Sequence, residues 1–120
     1  MTEKQISGTL QTAEKDGIAI ISIEGYFDEE IGLKLAKIAD AYLRSRILKI
    51  IVNLEGCELI NSLGVTQLLD LAIRTVEDYK GAIVMVTSRP VILRVLELAS
   101  LSQLATMIPT LDEALKYMKE

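Results

Sequence analysis

Histidine is missing from the chain altogether, and cysteine occurs once, at Cys57. Those two shortages remove most catalytic chemistry. Without an imidazole no Ser-His-Asp or Cys-His nucleophile system can be built. One thiol and no histidine leave no zinc site. A single cysteine also forms no internal disulfide, so the chain needs no oxidising compartment. Neither GxGxxG nor GxxxxGKS/T occurs, which removes the usual phosphate-cradling loops. The chain is expected to be neither an enzyme nor the holder of a cofactor or metal.

Aromatic residues make up only 4% of the chain, so the core must be aliphatic. No apolar run approaches the ~20 residues of a membrane span. The stretch Met1-Thr2-Glu3-Lys4-Gln5 is polar and lacks the apolar segment of a secretory leader. A cytoplasmic protein is expected. Clustered positive charge is scarce too: 13 Lys and Arg face 17 Asp and Glu, for a net charge of −4, and no two basic residues are adjacent. Phosphate contacts supply most nucleic-acid affinity, so neither nucleic acid nor an acidic membrane surface is an expected partner.

What is present is half hydrophobic, in 120 residues. That length suits one domain spanning 1–120, with roughly two thirds of its unfolded surface buried. Ile6 to Glu14 reads as a weak strand, and Ile18 to Ile23 as a strong β-branched one. The Asp16-Gly17 pair between them predicts an antiparallel hairpin. Asp28 is placed to cap a helix, with Glu29 and Glu30 at its positive end. Ile31, Leu35, Ile38 and Tyr42 form its apolar stripe, and it ends near Ser45 or Arg46. Ile47 to Leu54 is nearly all apolar, as in a strand buried on both faces.

After a polar loop, Glu55 to Glu58, and Leu59-Ile60, the turn Asn61-Ser62-Leu63-Gly64 opens a second helix. This helix is expected to reach about Lys80, with Val65, Leu68, Leu69, Ala72, Val76 and Tyr79 inside and Gly81 as its C′ residue. Ala82 to Thr87 is another central strand, and Pro90 starts a helix carrying Ile92, Val95, Leu96 and Ala99. A short segment, Ala105 to Ile108, precedes the capping box Thr110-Leu111-Asp112-Glu113 of a last helix. The predicted fold is a single-domain α/β mixed sheet: an N-terminal hairpin, then β-α repeats, covered by helices.

The turn before the second helix is the most informative stretch. Asn61 or Ser62 caps the helix, since either side chain accepts from a free N–H of the first turn. Gly64 costs up to ~1 kcal/mol there against alanine, and is worth tolerating where another backbone or a bulky ligand comes close. A serine hydroxyl at a helix N-terminus is a favourable place for a phosphate. With Val65 and Val76 at the centre of the buried face, Leu63 and Leu71 point outward, either incidentally or as a patch for a partner. Cys57, in the preceding loop between Glu55 and Glu58, reads as an inert thiol.

At these residues the chain resembles the STAS family, the bacterial anti-sigma factor antagonists. Leu59 to Val65 is similar to the family's strand, Asp-Ser-Ser/Thr-Gly turn and amphipathic helix, with Asn61 and Leu63 departing from it. Ile23 to Asp28, Val91 to Ala99 and Thr110 to Leu115 resemble three further family stretches in register. The resemblance implies that Ser62 is phosphorylated by an anti-sigma factor that is itself the serine kinase, that phosphorylation releases this partner, and that Asp28 is the acidic residue beside the site. The expected contact set around Ser62 is Asp28, Asn61, Leu63, Gly64, Gln67 and Leu71. The alternative is a non-phosphorylated STAS-domain subunit or scaffold of a transport or stress-signalling complex.

Overall fold

Two residues with left-handed backbone, Asp16 (φ 54°) and Gly17 (φ 77°), close the first hairpin. Consecutive positive φ values match the right-handed strand twist, and glycine takes the second at no steric cost. The hairpin joins β1 (Thr9–Lys15) to β2 (Ile18–Phe27), antiparallel as expected. The computed structural model describes residues 6–120; residues 1–5, on which the expectation about a secretory leader falls, lie outside them.

Then follow α1 (Glu29–Arg44), β3 (Lys49–Asn53), β4 (Cys57–Ile60) and α2 (Ser62–Ile73). A π-helical extension, Arg74–Asp78, leads to β5 (Ala82–Val86), α3 (Pro90–Leu98), a 3-10 turn, β6 (Thr106–Ile108) and α4 (Leu111–Lys119). The sheet order is β1-β2-β3-β5-β6, with β4 also on β2, and every pairing after the hairpin among the described residues is parallel. The expected class, a mixed sheet covered by helices, stands.

The continuous apolar strands are explained by cover on both faces. Ala19, Ile21, Ile23, Ile50, Val52, Ile83 and Met85 point to one face, where α1, α2 and α3 pack. Ile18, Ile20, Ile51, Val84 and Val86 point to the other, where Ala114 and Met118 of α4 cover them. Thr110 caps α4 as the capping box predicts, its Oγ1 accepting from Glu113 N.

Three expectations need correction. The polar loop Glu55 to Glu58 is in part strand, because Cys57 and Glu58 join Leu59 and Ile60 in β4. β3 reaches only Ser22 of β2, so the longer β2 has backbone to spare, and Gly25 to Phe27 pair with Cys57 to Ile60 instead. The second helix is α-helical only to Ile73. Thr75 Oγ1 donates to the Leu71 carbonyl at 2.8 Å, and Tyr79 N bonds Arg74 O across a wider π turn. Its left-handed residue is Lys80 (φ 58°), not Gly81.

The third correction concerns the phase of α2. Leu71, expected outside, is 0% exposed, and Val65, expected at the core, is half-buried at its rim. The buried face carries Gly64, Leu68, Leu71, Ala72 and Thr75. Its centre is turned by roughly 90° from the apolar stripe read in the sequence, at 100° per residue. Glycine and threonine occupy two of its positions, so a count of apolar residues cannot find it.

Candidate functional site

β2 and β4 end side by side in parallel register, Phe27 opposite Ile60. The next residue on each strand caps a helix. Asp28 Oδ1 accepts from Ile31 N at 3.1 Å at the start of α1, and Asn61 Oδ1 accepts from Gly64 N at 2.9 Å at the start of α2. Asn61 N also donates to the Phe27 carbonyl at 3.1 Å, tying the two ends together. Two helix N-termini therefore open on the same edge of the molecule, and their dipoles make that edge favourable to negative charge.

The cap of α2 is Asn61 and not Ser62. The other end of the Asn61 amide donates to Tyr26 Oη at 3.0 Å, so both polar ends of this side chain are satisfied by the fold. Ser62 is left at the first helical position, exposed, with no side-chain hydrogen bond among the described residues. The N–H groups of Ser62 and Leu63 have no carbonyl a turn earlier to bond. The arrangement is chemically specific: an exposed hydroxyl sits beside free backbone donors, and no cap need be broken to modify it.

Gly64 is buried, and what comes close to it is this chain's own backbone. A Cβ built there would lie 2.7 Å from the Phe27 carbonyl oxygen and 2.7 Å from its ring Cδ1. Gly64 and Leu71 thus contribute no contact surface. Leu63 is 48% exposed, and Gln67 lies one turn further along the same side of α2, half-buried where it meets Gly32 of α1. Two exposed leucines outside the expected contact set lie close by in the chain: Leu33, next to Gly32 on α1, 52% exposed, and Leu59, two residues before Asn61 on β4, 47% exposed. The signal for Leu33 is its place two residues from Ile31, off the apolar stripe of α1. Leu59 has none, because two residues of strand before the turn are too few to show which face they turn outward.

Burial would raise the Asp28 carboxyl, but hydrogen bonds from the Ser7 hydroxyl and from the backbone N–H groups at the start of α1 outweigh it and hold the carboxyl below its ordinary value. Asp28 is therefore a carboxylate at neutral pH. Glu29 and Glu30 add two more exposed carboxylates at the start of α1. No group of three His, Cys, Asp or Glu among the described residues is placed to hold a metal ion.

Cys57 begins β4 and is buried, not in a loop. Burial pushes its thiol from 9.0 up to about 11. A rise of that size cuts the thiolate fraction ~100-fold near neutral pH, and the thiolate is the reactive form. Folded protein is thus expected to react with a disulfide reagent at least ~100-fold more slowly than protein in denaturant. Equal rates would mean that β4 opens readily.

A family model described as STAS domain matches residues 9–114. A search of curated proteins returned no match. Among solved structures, an anti-sigma factor antagonist from Mycobacterium paratuberculosis is 22% identical, covers 95% of this chain and 96% of its own, and superposes with a TM-score of 0.83. The phosphorylated form of the Bacillus cell fate determinant SpoIIAA is 19% identical over 91% of this chain and 98% of its own, with a TM-score of 0.73. A sulfate transporter family protein from Wolinella succinogenes is 17% identical over 89% of this chain and 88% of its own, at 0.74. At these identities the likeness is one of fold. No helix among the described residues is long and apolar enough to cross a membrane.

Proposed function

The chain belongs to the STAS domain family, and on that premise we propose that it is an anti-sigma factor antagonist whose switch is Ser62. In this reading the unphosphorylated protein binds an anti-sigma factor that is also a serine kinase, and transfer of a phosphoryl group to Ser62 ends the complex. The observation that carries it is the division of labour at the start of α2: Asn61 caps the helix, so the exposed Ser62 hydroxyl is spare. Phosphate there meets two free N–H groups and the helix dipole, worth typically about 0.3–1 kcal/mol, so the fold tolerates the modified state. Asp28, Asn61, Leu63 and Gln67, with Leu33 and Leu59, form the contact surface. Release then follows from a charge of about −2 placed among leucines that the partner must desolvate.

A second reading has its own support. Leu63 stands beside the serine where the family has a small polar residue, and one fold neighbour is a sulfate transporter family protein. There the same surface would dock a subunit of a larger complex and Ser62 would stay unmodified.

Incubation with the host's anti-sigma factor kinase and ATP separates the two. The antagonist reading expects one phosphate, mapped to Ser62, and none on Ser62→Ala. Ser62→Asp is expected to melt within about 0.5 kcal/mol of wild type while losing the partner. Phosphate on Ser88, Ser100 or Ser102 instead overturns the assignment, and no incorporation at all favours the second reading.

A further inference from the structure

β1 is the edge of the sheet. Among the described residues nothing pairs with the side of Thr9–Lys15 that faces away from β2. A strand paired on one side points alternate N–H and C=O groups outward, so this edge offers a row of backbone donors and acceptors in extended spacing. It contains no proline and no break in register, and its two charges, Glu14 and Lys15, sit at one end.

Leu10, Thr12 and Glu14 share the face that α1 covers, because their partners Ile23, Ile21 and Ala19 belong to the core beneath the helices. Leu10 packs against that core. Further along, the strand offers only Thr12 and Glu14 to the last turns of α1. A shallow cleft of about 320 Å³ remains there, lined by Glu14, Ile38, Ala41, Tyr42, Ser45 and Ile47. Four of its six lining residues are hydrophobic. Glu14 is exposed and has no ion-pair partner among the described residues.

We propose that this edge and cleft are a second protein-binding site, which takes an extended segment of another protein as a strand added beside β1. One bulky apolar side chain of that segment fills the cleft, and a Lys or Arg pairs with Glu14. Each requirement comes from a different feature. The backbone edge selects an extended chain, the cleft selects its apolar residue, and the carboxylate selects the cation. A second copy of this chain meets them poorly. Antiparallel pairing about Thr12 would set the copy's Leu10 opposite Glu14, and that leucine is already packed in its own core. The site lies at the C-terminal end of α1, whereas Ser62 lies beside its start. Sixteen residues of helix separate the two by ~24 Å, so both can be occupied at once.

The probe is a capped seven-residue peptide that alternates threonine with leucine and carries lysine at both ends, titrated into isotope-labelled protein and followed by amide NMR shifts. Saturable shifts confined to Thr9–Lys15 and residues 38–47 are expected. Binding should weaken at least tenfold when the peptide is N-methylated at every residue, which removes its backbone donors and leaves the protein untouched. Ala41→Glu, at the exposed mouth of the cleft, should weaken it comparably. Ser62→Asp should leave it unchanged, and since no kinase is present the result stands apart from the fate of the switch. Equal affinity for the N-methylated peptide, shifts centred on Leu59 and Leu63, or no saturation each overturn the proposal. So does a concentration-dependent dimer that shifts the same amides without peptide, which would give the edge to a second copy.

Discussion

Gly64→Val is expected to lower the melting temperature by about 10 °C or more. Even a single added Cβ meets a backbone oxygen, the Phe27 carbonyl, at 2.7 Å, where nothing flexible can move aside. Phe27 is itself fully buried, with its ring also 2.7 Å from that Cβ, so the strain spreads into the core. Overpacking costs typically about 1–3 kcal/mol and occasionally more. Moving α2 away also loosens the bond from Asn61 N to the Phe27 carbonyl, worth ~1 kcal/mol. Because the colliding oxygen is backbone and cannot yield, the upper end of the overpacking range applies, and a total of about 3–4 kcal/mol corresponds to roughly 10–20 °C for a domain of this size. Gly64→Ala should lie between wild type and valine. Circular-dichroism melts decide the matter: a valine variant within about 3 °C of wild type would mean that α2 does not start against Phe27.

The second large effect is a contrast between two leucines eight residues apart on one helix. Leu71→Lys should abolish the cooperative transition or lower it by more than about 15 °C. The residue is fully buried among Leu68, Ala72 and the core of α1. Losing a buried leucine costs about 2–5 kcal/mol, and the introduced ammonium must be desolvated without a partner or give up its proton. Leu63→Lys should change stability by no more than about 0.5 kcal/mol, as at most exposed positions. If the chain acts as proposed, its effect belongs to binding: a charge in place of a leucine beside Ser62 is expected to weaken binding of an anti-sigma factor partner at least tenfold, or about 1.4 kcal/mol. Melting curves of both variants, with calorimetric titration of the second, test helix phase and contact surface separately. A stable Leu71→Lys would return α2 to the orientation implied by its apolar stripe. A folded Leu63→Lys that binds normally would make the exposed leucine incidental.

The contrast also marks how far sequence reading reaches. Nearly every element was legible, because strands repeat every two residues and helices every 3.6 and each pattern is local. The hairpin at Asp16-Gly17, the caps at Asp28 and Thr110, and the turn before α2 all rest on the chemistry of a few neighbouring residues. The candidate serine is legible in the same way, from its place at a helix start.

What the sequence by itself determined is therefore the order of nearly all the elements, the class of the sheet and the place of Ser62 at a helix start. Tertiary structure alone decided which of Asn61 and Ser62 caps α2, which side of α2 is buried, and that Cys57 and Glu58 belong to a strand. The physical reason is common to all three. Each depends on a residue distant in the chain: Tyr26 holding the Asn61 amide, Phe27 requiring a glycine against it, and β2 running past the end of β3 with backbone left to pair.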